Sequence, residues 1–252
     1  MPAQAGGLYD VQYSAVDMKN RALLLISSSV VYGYGYLDYA EDEIRDHLAN
    51  TERILFVPFA IKDHDGYAAK VGDRFQQMGY SVESIHRAPD PKQAIENADA
   101  IFIGGGNTFR LLKALYDRDL LNTIRSQVDR GMKYIGSSAG TNVACPTIRT
   151  TNDMPIVEPP SLQAIDLVPF QINPHYQDPD PGTKHMGETR EERIREFLEE
   201  NETPVVGLRE GSMIRVHRGA FLLKGIAAAR IFRRGQDPVE VAPGNEIGQY
   251  LE

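Results

Sequence analysis

Ser138 stands at the centre of Gly136-Ser137-Ser138-Ala139-Gly140, directly after the apolar run 132–135, and that spacing suits a nucleophile. A strand that ends in Gly-x-Ser-x-Gly and turns at once into a helix holds its serine in a strained, exposed bend. The new helix also aims N–H groups at a developing oxyanion. Ser138 fills that slot and Ser137 does not. A plain turn of small residues between a strand and a helix is the competing reading, so the partners decide.

A serine of this kind needs a base. His175 follows the run 165–172 through Asn173 and Pro174, which puts it just past a strand, on the edge expected to carry Ser138. His47 falls in a charged helix, His185 in a polar loop and His217 in a hairpin; His86, at the end of an earlier strand, is the rival. The base in turn needs an acid to hold its tautomer and stabilise the imidazolium. Asp153, in the segment after Pro146, and Glu210, after the run 204–208, both qualify, and the residues alone leave that choice open. The acid not used by the imidazole is free to hold a substrate ammonium.

The turn Gly104-Gly105-Gly106, with Asn107 or Thr108 as helix cap, is the expected source of a second backbone donor. An N–H from Gly106, paired with that of Ala139, would form an oxyanion hole. The turn lacks both the further glycine of a dinucleotide loop and the Gly-Lys-Ser/Thr of a P-loop. Cys145, next to Pro146 at the far end of a short helix, reads as a small buried apolar residue. No ligand spacing suits a metal, so neither a metal nor any other cofactor is expected.

These groups must be carried by strands ending at a common edge. Short apolar or β-branched runs at 22–27, 54–59, 81–86, 100–103, 132–135, 165–172 and 204–208 alternate with helical patterns at 40–49, 66–78, 91–97, 108–130 and 188–199. That alternation predicts an α/β fold, a mainly parallel sheet with helices on both faces. Runs 214–217 and 220–223 flank Arg218 and Gly219 as a C-terminal antiparallel hairpin, and 229–232 is expected to add an antiparallel strand at the sheet edge. Residues 1–20 read as a loose extension and 21–252 as a single α/β domain.

The chain has 252 residues, 42% hydrophobic and 25% charged, close to the globular average. A formal net charge of −8 argues against nucleic-acid or anionic-membrane partners, which call for a basic face. Small-molecule partners are expected instead. A single cysteine and the lack of an export signal or an apolar span point to the cytoplasm. A homodimer stays open, because nothing in the sequence speaks to oligomeric state.

Taken together, IGGGNTFRLLK at 103–113, YIGSSAGTNVACPTIRTTNDMPIV at 134–157, QINPHY at 171–176 and GETREERIREFL at 187–198 resemble the peptidase E family, the α-aspartyl dipeptidases among the serine peptidases. The resemblance implies a fold similar to the glutamine amidotransferases and hydrolysis of dipeptides with an N-terminal aspartate. It implies Ser138 and His175 as nucleophile and base, and an acid that looks like Asp153, with Glu210 in LREGS also matching a family position. Amidotransferases carry a cysteine where Ser138 stands and an acid where Gln177 stands, so glutaminase chemistry is not implied.

Selecting an aspartyl side chain requires compensation of its carboxylate by a bidentate arginine or several donors. The candidates are Arg149, Thr150, Thr151 and Asn152 beside the elbow, Asn107 and Thr108 on the glycine turn, and Arg190 near His175. Two other readings stand beside this one. A cyanophycinase-like hydrolase of β-linked aspartyl-arginine would share the elbow, and a non-catalytic binding or chaperone-like protein would leave Ser138 as an unreactive bend.

Overall fold

The computed structural model describes residues 15–179, 182 and 187–251. Its first half builds five parallel strands, β1 (Ala22–Ile26), β2 (Ile54–Val57), β3 (Val82–Ser84), β4 (Ala100–Ile103) and β5 (Lys133–Ser137). They lie side by side in the order β3-β2-β4-β5-β1. β2 and β4 are buried along their whole length, as parallel strands covered on both faces must be. Side-chain alternation divides the interior in two: Leu23 and Leu25 of β1 enter one apolar core, Leu24 and Ile26 the other.

The helices are α1 (Ala15–Asn20), α2 (Glu41–His47), α3 (His64–Gln77), α4 (Pro91–Asn97), α5 (Thr108–Asp117), α6 (Leu121–Asp129), α7 (Ala139–Asn142) and α8 (Arg190–Glu200). α2 and α3 close one core with Ile44, Tyr67, Val71 and Phe75. α4, α5 and α6 close the other, α5 through Leu111, Leu112 and Leu115 at helical spacing. The stretch 108–130, expected as one helix, is two. Asp119 breaks it with φ 52, a left-handed conformation that aspartate tolerates better than most residues.

Six further strands follow: β6 (Gln171–Tyr176), β7 (Val205–Arg209), β8 (Ser212–His217), β9 (Ala220–Gly225), β10 (Ala229–Phe232) and β11 (Val239–Val241). β8 and β9 extend the first sheet antiparallel beyond β1, joined as expected by Arg218 and Gly219, both at positive φ as a two-residue hairpin turn requires. The others correct the expectation of one sheet. β6 and β7 pair parallel in a separate four-stranded sheet of order β11-β10-β7-β6, and β10 lies inside it instead of at the edge of the first.

The run 165–172 becomes strand only from Gln171, because Pro169 has no N–H for a ladder. Pro174 is tolerated within β6 because β6 is an edge strand. α8 opens on a capping box of Thr189 and Glu192, then packs Ile194 and Leu198 against Tyr176, Val205 and Phe232 of the second sheet. Of the extension expected over 1–20, residues 15–20 form α1, and 1–14 lie outside the described residues. Among the described residues no helix is long and apolar enough to cross a membrane.

Candidate active site

β5 stops at Ser137, α7 starts at Ala139, and Ser138 between them adopts φ 53 and ψ −108. The flanking glycines make this bend feasible. A Cβ on Gly136 would lie 2.5 Å from the Gly140 carbonyl oxygen, and one on Gly140 would collide with the Ile103 carbonyl. The bend is then pinned from both sides: the Ser138 N–H donates to the Ile26 carbonyl at 3.0 Å, and the Thr141 hydroxyl donates to the same oxygen at 2.7 Å.

His175 reaches this serine from the second sheet. The register of β6 on β7 shifts between Pro174 and Tyr176, so His175 is the extra residue of a bulge, at φ 54, and its ring is re-aimed out of the ladder. Its Nε2 lies 2.9 Å from Ser138 Oγ, and its Nδ1 lies 2.8 Å from Glu210 Oε1. Glu210 leaves β7 just before Gly211, which turns the chain at φ 85. With Glu210 ionised, the consistent tautomer has Nδ1–H donating to the carboxylate and Nε2 accepting from the serine hydroxyl. His86, the rival, sits elsewhere, between Ser84 and Asp65 past β3.

One hydroxyl joins the two sheets at this point. Ser27, fully buried one residue beyond β1, donates from Oγ to the Leu208 carbonyl at 2.7 Å and accepts from the His175 N–H at 3.0 Å. It therefore ties the strand of the imidazole and the strand leading to Glu210 to the neighbour of the elbow strand. Sequence reasoning missed Ser27. Its only signal was a serine at the end of a central strand, which gains meaning once β1 is known to pair with β5.

Asp153, the acid that the family resemblance implies, does not meet the imidazole. Its carboxylate accepts from the Thr108 N–H at 2.7 Å and the Thr108 hydroxyl at 2.6 Å, holding the start of α5 as an anion at a helix N-terminus should. Asn107 caps α5, accepting from the Arg110 N–H and donating to the Met154 carbonyl. Asn152 donates to the Pro174 carbonyl at 2.7 Å and accepts from Asn173 at 2.9 Å, bracing the strand that bears His175. Arg149 is exposed and is not in the lining of the Ser138 cavity. Arg190, half-buried at the start of α8, is held below the usual guanidinium range by burial and by Arg193, against the opposing pull of the Asp153 charge. Like Arg149, it is not in the lining of the Ser138 cavity, although Asp153, whose charge acts on it, is.

The glycine turn abuts the nucleophile. A Cβ on Gly105 would lie 3.1 Å from Ser138 Cβ, and Gly106, at φ 136, has no room for a side chain against the Ala60 carbonyl. Ala139 opens α7, so its N–H belongs to the first turn and has no intrahelical acceptor. The cavity of about 720 Å³ over Ser138 and His175 is lined as well by Val30, Tyr36, Ile61, Tyr67 and Lys70, residues the motifs did not indicate. Cys145 is wholly buried and burial pushes its thiol up to about 12, so it stays protonated and unreactive.

Comparison with known proteins places the chain among peptidases. The sequence pattern of peptidase family S51 matches residues 23–224. The chain is 53% identical over 230 residues to peptidase E of Streptomyces coelicolor, covering 91% of this chain and 95% of that protein. It is 51% identical over 235 residues to the probable alpha-aspartyl dipeptidase of Drosophila melanogaster, covering 92% and 98%. The crystal structure of a peptidase from an acI-B1 actinobacterium shares the fold, with a TM-score of 0.65 at 17% identity over 90% of this chain and 96% of the other.

Proposed function

This chain belongs to peptidase family S51 and is a serine-type peptidase, and from that membership we propose that it hydrolyses dipeptides with an N-terminal aspartate using Ser138, His175 and Glu210. The observation that carries the reading is the unbroken chain from Ser138 Oγ to His175 Nε2 at 2.9 Å and from His175 Nδ1 to Glu210 Oε1 at 2.8 Å.

In the first half-reaction Ser138 Oγ attacks the scissile carbonyl carbon while its proton passes to His175 Nε2. Glu210 stabilises the imidazolium through Nδ1–H. The oxyanion forms against the N–H groups of Gly106 and Ala139; losing one such donor typically costs about 2.7–4 kcal/mol in the chemical step. Collapse breaks the C–N bond, and the imidazolium proton leaves with the amine. Water then attacks the acyl-enzyme, His175 takes its proton, and the second collapse returns that proton to Ser138 as aspartate departs. The side chain of His175 is 36% exposed, so water reaches the base without rearrangement.

Arg190 is the group we assign to the aspartyl carboxylate, with Asp153 opposing it and Thr108 fixing Asp153. Asn107 and Asn152 serve this site as braces, through their bonds to the Met154 and Pro174 carbonyls. Hydrolysis of Asp-Leu, Asn-Leu and β-aspartyl-arginine by the purified chain, with fluorophosphonate labelling mapped by mass spectrometry, tests the reading. We expect label on Ser138 and cleavage of Asp-Leu far above the other two. Equal rates on Asn-Leu would reject charge selection, preference for the β-linked peptide would make the chain a cyanophycinase-like hydrolase, and absence of labelling would leave it a binding protein.

A further inference from the structure

An Asp-Xaa dipeptide brings two carboxylates and one ammonium, and the reaction just described uses only one of those anions. The cavity holds a cation for the other. Lys70 is the sole lysine or arginine among the described residues that line it. Its ammonium lies over the face of Tyr36, 4.2 Å from the ring centroid, and Tyr36 lines the same cavity. The ring holds the ammonium on one side by a cation–π contact and leaves its other N–H groups for a ligand. The two acids of the lining are engaged elsewhere: Asp63 accepts from the Gly66 N–H at 2.9 Å to cap α3, and Asp153 is bound to Thr108.

The position along α3 sets where Lys70 stands. Tyr67 packs under the glycine turn, where a Cβ on Gly104 would lie 2.5 Å from its hydroxyl. Lys70 follows by three residues, so it stands one turn along the same helix face, with Cβ atoms about 5–6 Å apart. Lys70 therefore follows Tyr67 along a wall of the same cavity that holds Ser138 and His175.

We propose that Lys70 binds the free C-terminal carboxylate of the leaving residue, so that the site measures the far end of its substrate and favours dipeptides over longer or amidated peptides. The inference rests on the dipeptidase reading above. A lysine suits the task, because a single carboxylate on residues of varying side chain needs a mobile point charge more than a rigid fork.

The test compares Asp-Leu with its C-terminal amide in the wild type, Lys70→Met, Lys70→Arg and, as a control outside the lining, the exposed Lys62→Met. The wild type should favour the free acid by about tenfold in kcat/KM, mainly through KM, as a charge-assisted contact at an open site allows. Lys70→Met should bring the ratio of acid to amide close to one, Lys70→Arg should restore most of it, and Lys62→Met should leave it as in the wild type. An active enzyme whose ratio is unchanged by Lys70→Met overturns the inference alone. A wild type that turns over neither compound overturns the dipeptidase reading and this inference with it.

Discussion

The sheet that bears Ser138 and the sheet that bears His175 are stabilised by different means. The first is a stack of apolar strands between two hydrophobic cores, and its reactive residue is held by steric fit: the glycines at 136 and 140 admit close backbone approach, and nothing larger would fit. The second is smaller and is laced by charge. Arg209 at the end of β7 pairs with Asp178 at 2.8 Å and with Glu240 of β11, and these acids hold it above the usual guanidinium range. Arg230 of β10 pairs with Glu191 of α8 at 3.1 Å. Nucleophile and base thus belong to different sheets that share one apolar core through Ile172, Val206, Leu208 and Ile231, and the catalytic distance depends on how one sheet sits against the other.

The largest expected effect lies in the first sheet. Ser138→Ala should reduce kcat by about 10⁶-fold, the loss typical of a missing nucleophile, and should abolish fluorophosphonate labelling while circular dichroism shows a folded chain. In the second sheet, Glu210→Gln should lower kcat by about 10⁴-fold through loss of tautomer control. Asp153→Asn should cost far less in kcat and appear mainly as a lower melting temperature, about 1 kcal/mol from a weakened helix start. Equal kinetic losses in these two variants would break the division of labour between the acids.

The link between the sheets comes next. Ser27→Ala removes the hydroxyl shared by the His175 N–H and the Leu208 carbonyl. It should lower kcat by about 10- to 100-fold, as small misplacements of reacting groups do, with KM nearly unchanged in steady-state assays. A rise in KM at constant kcat would show that the hydroxyl does not serve alignment.

An effect on stability and not on turnover separates the sheets by pH. His47 of α2, over the first sheet, is pushed down to about 3 by burial, with the Arg215 and Lys133 charges adding to it. The folded chain keeps this ring neutral while the unfolded chain protonates it near about 6.5. Below that pH the unfolded state binds more protons, so the contribution is intact above about 6.5 and is lost at up to about 1.4 kcal/mol per pH unit towards 3. Denaturant titrations across that window should show a shallower acid loss for His47→Asn than for the wild type.

What the sequence revealed was whatever it encodes locally. The elbow at 136–140, the hairpin at Arg218 and Gly219 and the alternation of strand and helix are written in contiguous residues, and the structure contains them. Membership of β6, β7 and β10 in a second sheet is not local, because apolar strands of similar length suit either sheet. The choice between Asp153 and Glu210 depends on that packing, since both follow turns and only one ends on a strand beside β6. Ser27 and Lys70 escaped for the same reason: neither belongs to a motif, and each acquires a partner only when distant segments meet.

Ser138 and His175 share a backbone habit, with φ of 53 and 54. Residues with a Cβ pay about 1–2 kcal/mol to occupy left-handed conformations, whereas glycine enters that half of the map freely. A double glycine replacement would relieve that strain, set against a more flexible unfolded chain and the lost hydrogen bonds of both side chains, and would hydrolyse nothing. The chain thus keeps its backbone strain at the two residues between which the proton must move.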